Sequence, residues 1–162
     1  MDYLDRNLKM RNQYHDMPQR NDHYTPKWIF DALGVTFDLD VAAPVDNIGN
    51  HCPAKFYYTE AINGLETEWY GRLWCNPPFS KATLWANKFL DHNNGIGIFP
   101  NSNAYWVDRL WNGDAGIIKL PYRTFYERPD GTSKRIMYTT YLVAVGADNL
   151  AALHESGIGK VR

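Results

Sequence analysis

Apolar residues in this chain switch back and forth between a strand-like and a helix-like spacing, and no other feature restricts its fold as much. Phe37, Leu39 and Val41 alternate with Asp38 and Asp40, which predicts a strand over 36–41. Arg72 to Cys75, Ile96 to Phe99 and Ala115 to Leu120 predict three further short strands. Helical segments stand around them. Thr25 as N-cap, Pro26 at the first helical position and Gly34 as a stop frame a short helix. Ala82 to Asn93 sets Leu84, Trp85, Phe89 and Leu90 on one side, with Gly95 to close it, and Ala104 to Trp111 predicts another helix. Strands separated by helices need crossover connections, which build a parallel sheet. The last third differs: Arg123 to Glu127 and Arg135 to Val145 read as two long strands joined at Pro129-Asp130-Gly131, before a closing helix over 149–155. The predicted fold is therefore α/β, a mixed and mostly parallel sheet with a C-terminal antiparallel hairpin. Residues 42–59, with Pro44, Asn47, Gly49, Asn50 and Pro53, read as mostly loop.

The 162 residues suffice for one domain, expected over 22–162. Residues 1–21 alternate Arg and Asp with few apolar anchors and are expected to form a surface arm with freedom to move. At 44% apolar and 22% charged the chain is globular rather than disordered. Its apolar runs are too short to span a bilayer, and Met1 to Arg11 does not read as a signal peptide. Two cysteines fit a reducing cytoplasm and no disulfide scaffold. A net charge of −1 excludes a basic nucleic-acid coat but not local binding. The 15% of aromatic residues supply core and also stacking surfaces.

Asn76-Pro77-Pro78-Phe79 carries the chemistry. It follows a predicted strand, and ligands of open parallel sheets bind beyond the carboxyl ends of strands. Two prolines stiffen the loop and aim the Pro77 carbonyl. The Asn76 side-chain oxygen is a second acceptor. Two acceptors side by side can grip both hydrogens of an aryl amine, whose lone pair is otherwise delocalised into its ring, and so free that lone pair to attack. Phe79 offers a flat face to such a ring, a contact worth about 1–3 kcal/mol.

These residues carry a resemblance. Asn76 to Phe79 looks like the catalytic loop of amino-methyltransferases that use S-adenosylmethionine. The wider chain resembles the small phage and prophage DNA N6-adenine methyltransferases, a Dam-like family. It does so through Tyr24 to Phe30, Phe37 to Ala43, Asn63-Gly64-Leu65 before Trp69, Trp85 after the loop, and Arg123-Thr124-Phe125 before the hairpin. The resemblance implies a Rossmann-like fold, S-adenosylmethionine as cofactor, double-stranded DNA as partner, a bacterial host cytoplasm, and a role in protecting or marking phage DNA against restriction. It places Tyr24, Thr25 and Pro26 against the methionine end of the cofactor, Asp40 and Ala42 where such enzymes hold it, and Asn63 near its adenine. Asn63 stands where the family commonly has an acid, and Asp-Val-Ala-Ala replaces the Gly-rich loop of many methyltransferases. Read from the residues, Asp38 and Asp40 share a strand face, and two acids suit a ligand that carries a sulfonium and an ammonium.

Lys119, Arg123, Arg128, Lys134 and Arg135 form a basic stretch expected to contact DNA phosphates. No room is left for a target-recognition domain of ordinary size, so the expectation is a short or relaxed target, read by a monomer or by a homodimer. His51, Cys52, Cys75 and His92 match no familiar zinc spacing, and no metal and no membrane contact are expected. Two alternatives remain open at this point: the same chemistry on an RNA base or a protein glutamine, or a non-catalytic binding protein of the same fold.

Overall fold

The structure, a computed structural model, describes residues 23–121, 124–128, 130–136 and 139–162. The expected arm, Asp22 and Arg123 lie outside the described residues. Helix α1 (Lys27–Leu33) leads into β1 (Phe37–Asp40) and β2 (Ala54–Tyr57). Then follow β3 (Leu73–Cys75), α2 (Ala82–His92), β4 (Gly95–Pro100), α3 (Tyr105–Asn112) and β5 (Gly116–Lys119). The chain closes with β6 (Phe125–Glu127), β7 (Ser133–Arg135), β8 (Thr140–Val145) and α4 (Ala147–Glu155). Six strands make one sheet in the order β2-β1-β3-β4-β8-β5, and β6 and β7 make a separate antiparallel pair. β1 pairs in parallel with β2 and β3, and β3 with β4, while β8 runs antiparallel between β4 and β5.

The sheet is covered on both faces. On one, α1 and α4 supply Ile29, Phe30, Leu33 and Leu153 to a core with Trp74, Ile98 and Leu142. On the other, α2 and α3 supply Trp85, Phe89, Trp106 and Leu110 against Leu39, Leu73 and Val143. Strands buried on both faces read as unbroken apolar runs, as in β4, where all six residues are buried. Each large side chain taken fully from water contributes about 1.5–3 kcal/mol. Among the described residues no helix is long and apolar enough to cross a membrane.

Five local expectations are corrected. Pro26, not Thr25, is the N-cap of α1, and its first residue is Lys27, because the Thr25 hydroxyl is engaged elsewhere. Asn93, in the left-handed conformation, ends α2 ahead of Gly95, which opens β4. Leu84 of that helix is 59% exposed, so the apolar side consists of Ala82, Trp85, Ala86 and Phe89. Residues 54–57, read as loop, form β2. This edge strand is mostly exposed and shows no burial alternation to detect. The expected long second hairpin strand is two strands: β7 pairs with β6, and β8 lies inside the main sheet.

This order creates the site. From β1 the chain moves outward to β2, then crosses back to place β3 on the other side of β1. Where connections part in opposite directions, the carboxyl ends of two adjacent strands leave a crevice. Asp40 ends β1 and Asn76 follows β3 at that point.

Candidate active site

A cavity of about 430 Å³ opens at this switch point. Tyr24, Thr25, Asp40, Ala42, Asn63, Asn76 and Pro78, seven of the residues singled out from the sequence, line it together. Pro26, Asp38, Pro77 and Phe79 do not line it. Phe79 packs against the core beside the His23 ring, with centroids 5.8 Å apart. Asp38 is corrected most clearly. Its carboxylate accepts the Arg72 N–H at 2.8 Å and the Lys55 ammonium at 3.2 Å. Those bonds, the backbone one foremost, hold its carboxyl below the usual range. Sharing a strand face did not bring both acids to the ligand end, because Asp38 sits one strand step before the C-terminus that bounds the cavity.

Asn76 is fixed in orientation. Its Nδ2 donates to the His23 carbonyl at 2.7 Å and to Thr25 Oγ1 at 3.0 Å. A carbonyl can only accept, so the amide nitrogen must face it and Oδ1 must point away. No described residue donates to Oδ1 or to the Pro77 carbonyl, whereas the Pro78 carbonyl accepts the Lys81 N–H at 3.1 Å. Among the described residues both oxygens are thus left without a donor, Asn76 on the cavity lining and Pro77 outside it.

Asp40 is 2% exposed. Burial pushes its carboxyl up to about 6, against the opposing bonds from Asn50, Ala42 and Cys52. Asn50 Nδ2 donates to Oδ2 at 2.7 Å, and the Ala42 N–H donates to Oδ1 at 3.1 Å. Asn50 also bonds Asn47 Oδ1 at 2.8 Å and accepts the Cys52 N–H at 3.0 Å, which braces residues 44–52 around the acid.

The opposite wall is residues 59–65 and Trp85. Of the whole cavity lining, sequence reasoning missed Glu60, Asn50, Lys81 and His23, and had Trp85 only as a helix residue and a point of family resemblance. Glu60 had a signal, since it follows β2, but the strand itself was unread. Lys88 anchors this wall: its ammonium donates to the carbonyls of Gly64, Leu65 and Thr67 at 3.0, 3.0 and 2.6 Å and lies 4.7 Å from the Trp69 ring centre. Gly64 sits where a Cβ would lie 2.3 Å from the Val41 carbonyl and 2.9 Å from the Trp85 ring. Gly64→Ala must push backbone away from backbone. It is expected to cost about 1–3 kcal/mol, read as a lowered melting temperature, and an unchanged melt would show the wall to be pliable.

The β6–β7 hairpin borders the site. The Tyr24 N–H donates to the Glu127 carbonyl at 2.8 Å, and the Glu127 N–H to the Tyr24 carbonyl at 3.0 Å. Phe125 faces Arg135 and Tyr126 faces Lys134 across the pair. Lys134 and Arg135 are exposed and Arg128 is half-buried at the turn. Lys119 stands apart, at the end of β5. No group of three His, Cys, Asp or Glu side chains among the described residues could hold a metal ion.

Among curated proteins none matches this chain. A family model described as DNA N-6-adenine-methyltransferase (Dam) matches residues 14–96, a little over half of the chain. The matched span contains β1, β2, β3 and α2, and with them Asp40, Asn63 and the Asn76 to Phe79 loop, so the likeness falls on the cavity itself. Kinship and geometry thus meet at one place, and the chain belongs to the DNA N-6-adenine-methyltransferase (Dam) family.

Proposed function

We propose that this protein transfers a methyl group from S-adenosylmethionine to the N6 amine of adenine in double-stranded DNA. The observation that carries the reading is the tethered Asn76 amide, whose Oδ1 is left without a donor among the described residues in a cavity that the buried Asp40 also lines. The residues fit that cofactor. A nearly inaccessible carboxylate whose pKa is raised by burial is stabilised by a cationic ligand. Trp85 offers an aromatic wall, and its Nε1 has no hydrogen-bond partner among the described residues. Gly64 keeps that wall flat where a Cβ would intrude.

When bound, S-adenosylmethionine supplies an electrophilic methyl on its sulfonium. Asp40 holds the cationic methionine end, with Tyr24, Thr25 and Ala42 around it. Asn63 and Glu60 face the nucleoside part. Asn76 Oδ1 and the Pro77 carbonyl accept the two amine hydrogens and turn the nitrogen lone pair towards the cavity. The base must leave the duplex stack at a cost of a few kcal/mol, and Phe79, packed on the core beside His23, backs the loop that receives it. Arg128, Lys134 and Arg135 hold phosphates on the hairpin, with Arg123 and the separate Lys119 as further phosphate contacts. A parallel sheet with one reversed strand near its edge supports a Rossmann-like methyltransferase reading of the fold. The setting we infer is a phage or prophage enzyme acting in the host cytoplasm on a short or relaxed target, as monomer or homodimer, to protect or mark DNA against restriction.

The test is incubation with tritiated S-adenosylmethionine and unmethylated DNA, followed by base-resolved sequencing. N6-methyladenine at a short site is the expected result. Folded protein that binds the cofactor yet labels RNA or protein instead overturns the reading.

A further inference from the structure

Glu127 belongs to the hairpin and has no part in the mechanism above, yet it contacts Tyr24, which lines the cavity, and His51, the neighbour of the lining residue Asn50. Its main chain pairs with Tyr24 in both directions. The adjoining His23 carbonyl is the acceptor that holds the Asn76 amide. Its side chain goes the other way: Glu127 Oε2 lies 2.8 Å from His51 Nε2. His51 follows Asn50, whose amide holds the Asp40 carboxylate. One hairpin residue therefore connects, through Tyr24 and His23 on one side and His51 and Asn50 on the other, to Asn76 and to the buried Asp40.

The loop on the His51 side depends on such support. Asp46, Asn47 and Gly49 all have φ in the left-handed region, at 53°, 58° and 73°. Pro44, Val45 and Asn50 of the same loop line the cavity. A loop that uses three such residues in a row of four has a specific shape to keep, and the His51–Glu127 contact, together with Asn50, is among its braces to the rest of the molecule. The hairpin that provides this brace is a two-stranded pair outside the main sheet: Tyr126 anchors β6 in the core, whereas all three residues of β7 are exposed. Arg128 and Lys134 sit on it, where a phosphate backbone would fix its orientation.

We propose that Glu127 is a positioning residue through which duplex DNA held on the β6–β7 hairpin tightens the cavity for S-adenosylmethionine. The inference rests on the functional reading above. DNA on the hairpin limits its motion. The Glu127 carboxylate then keeps His51 and the 44–52 loop in the binding shape, and the cofactor has less ordering left to do. Coupling of this kind is reciprocal, so the cofactor tightens DNA by the same factor.

The experiment is calorimetric titration of the full chain with S-adenosylhomocysteine, alone and with saturating unmethylated duplex DNA. The wild type is expected to bind about tenfold more tightly with DNA present. Glu127→Ala and His51→Ala each remove one partner of the contact and leave the main-chain pairing with Tyr24. In either, the affinity with DNA is expected to fall to within about twofold of the affinity without it, with the melting temperature reporting that the fold is kept. A wild type that binds equally with and without DNA overturns the proposal, as does a folded alanine variant that keeps the full ratio. If the wild type binds no S-adenosylhomocysteine in either condition, the functional reading itself has failed.

Discussion

Asn76→Ala is expected to slow methyl transfer by at least about 10²-fold, on the order of 3 kcal/mol, while the affinity for S-adenosylmethionine changes little. The Oδ1 acceptor matters most when the amine nitrogen pyramidalises to attack, so its removal appears in the rate and not in ground-state binding. In the proposed reading the charge of the cofactor is met by Asp40, with which Asn76 shares no hydrogen bond among the described residues. Loss of Nδ2 also leaves the His23 carbonyl without its donor, an effect of about 1 kcal/mol on stability. Single-turnover transfer measured beside a thermal melt separates the two effects. Folded Asn76→Ala protein that turns over nearly as fast as the wild type would show the Asn76 to Phe79 loop to be structural.

Asp40→Asn is expected to act on the cofactor and to abolish a pH dependence. In the folded protein the carboxyl titrates at about 6, against 3.8 for an ordinary aspartate, because burial disfavours its charge. A cationic ligand favours the ionised form. Wild-type affinity for S-adenosylmethionine should therefore improve as pH rises through about 6 and level off above it. Asn cannot ionise, so the variant should bind at least about tenfold more weakly at neutral pH and with no inflection there. Stability runs the opposite way. A folded pKa above the unfolded one contributes stability that is full below 3.8 and lost as pH rises through about 6. The size is about 3 kcal/mol for so fully buried a group. Melts of the wild type should fall across that window in the absence of cofactor, and those of Asp40→Asn should lack that component. A wild-type binding curve that is flat in pH between 5 and 7 (roughly one unit either side of the folded value) would remove Asp40 from the cofactor site.

The segments that the sequence predicted well are those whose structure is decided within a dozen residues. Leu73 to Cys75, the two prolines and the apolar spacing after them define strand, stiff turn and helix by local rules. Gly34 closes α1 in the left-handed conformation as its position implies, and its N–H donates to the Phe30 carbonyl at 3.0 Å. The edge strand β2 escaped because only one of its sides is paired and most of its side chains face water. Its loss hid Glu60 as well.

What the sequence by itself determined is the α/β layering, the acceptor-bearing loop after β3 and the acid that ends β1. Each follows from spacing, proline geometry or the order of elements along the chain. Only the tertiary structure decided which of two neighbouring acids lines the cavity, that Thr25 serves Asn76 rather than its own helix, and that the last third divides between a hairpin and an interior strand. It also joined His51 to Glu127, residues far apart in sequence, at 2.8 Å. The physical reason is common to all four. A hydroxyl, a carboxylate or a strand edge can meet its hydrogen-bonding need with any of several partners, and which partner is near is set by the packing of the whole sheet.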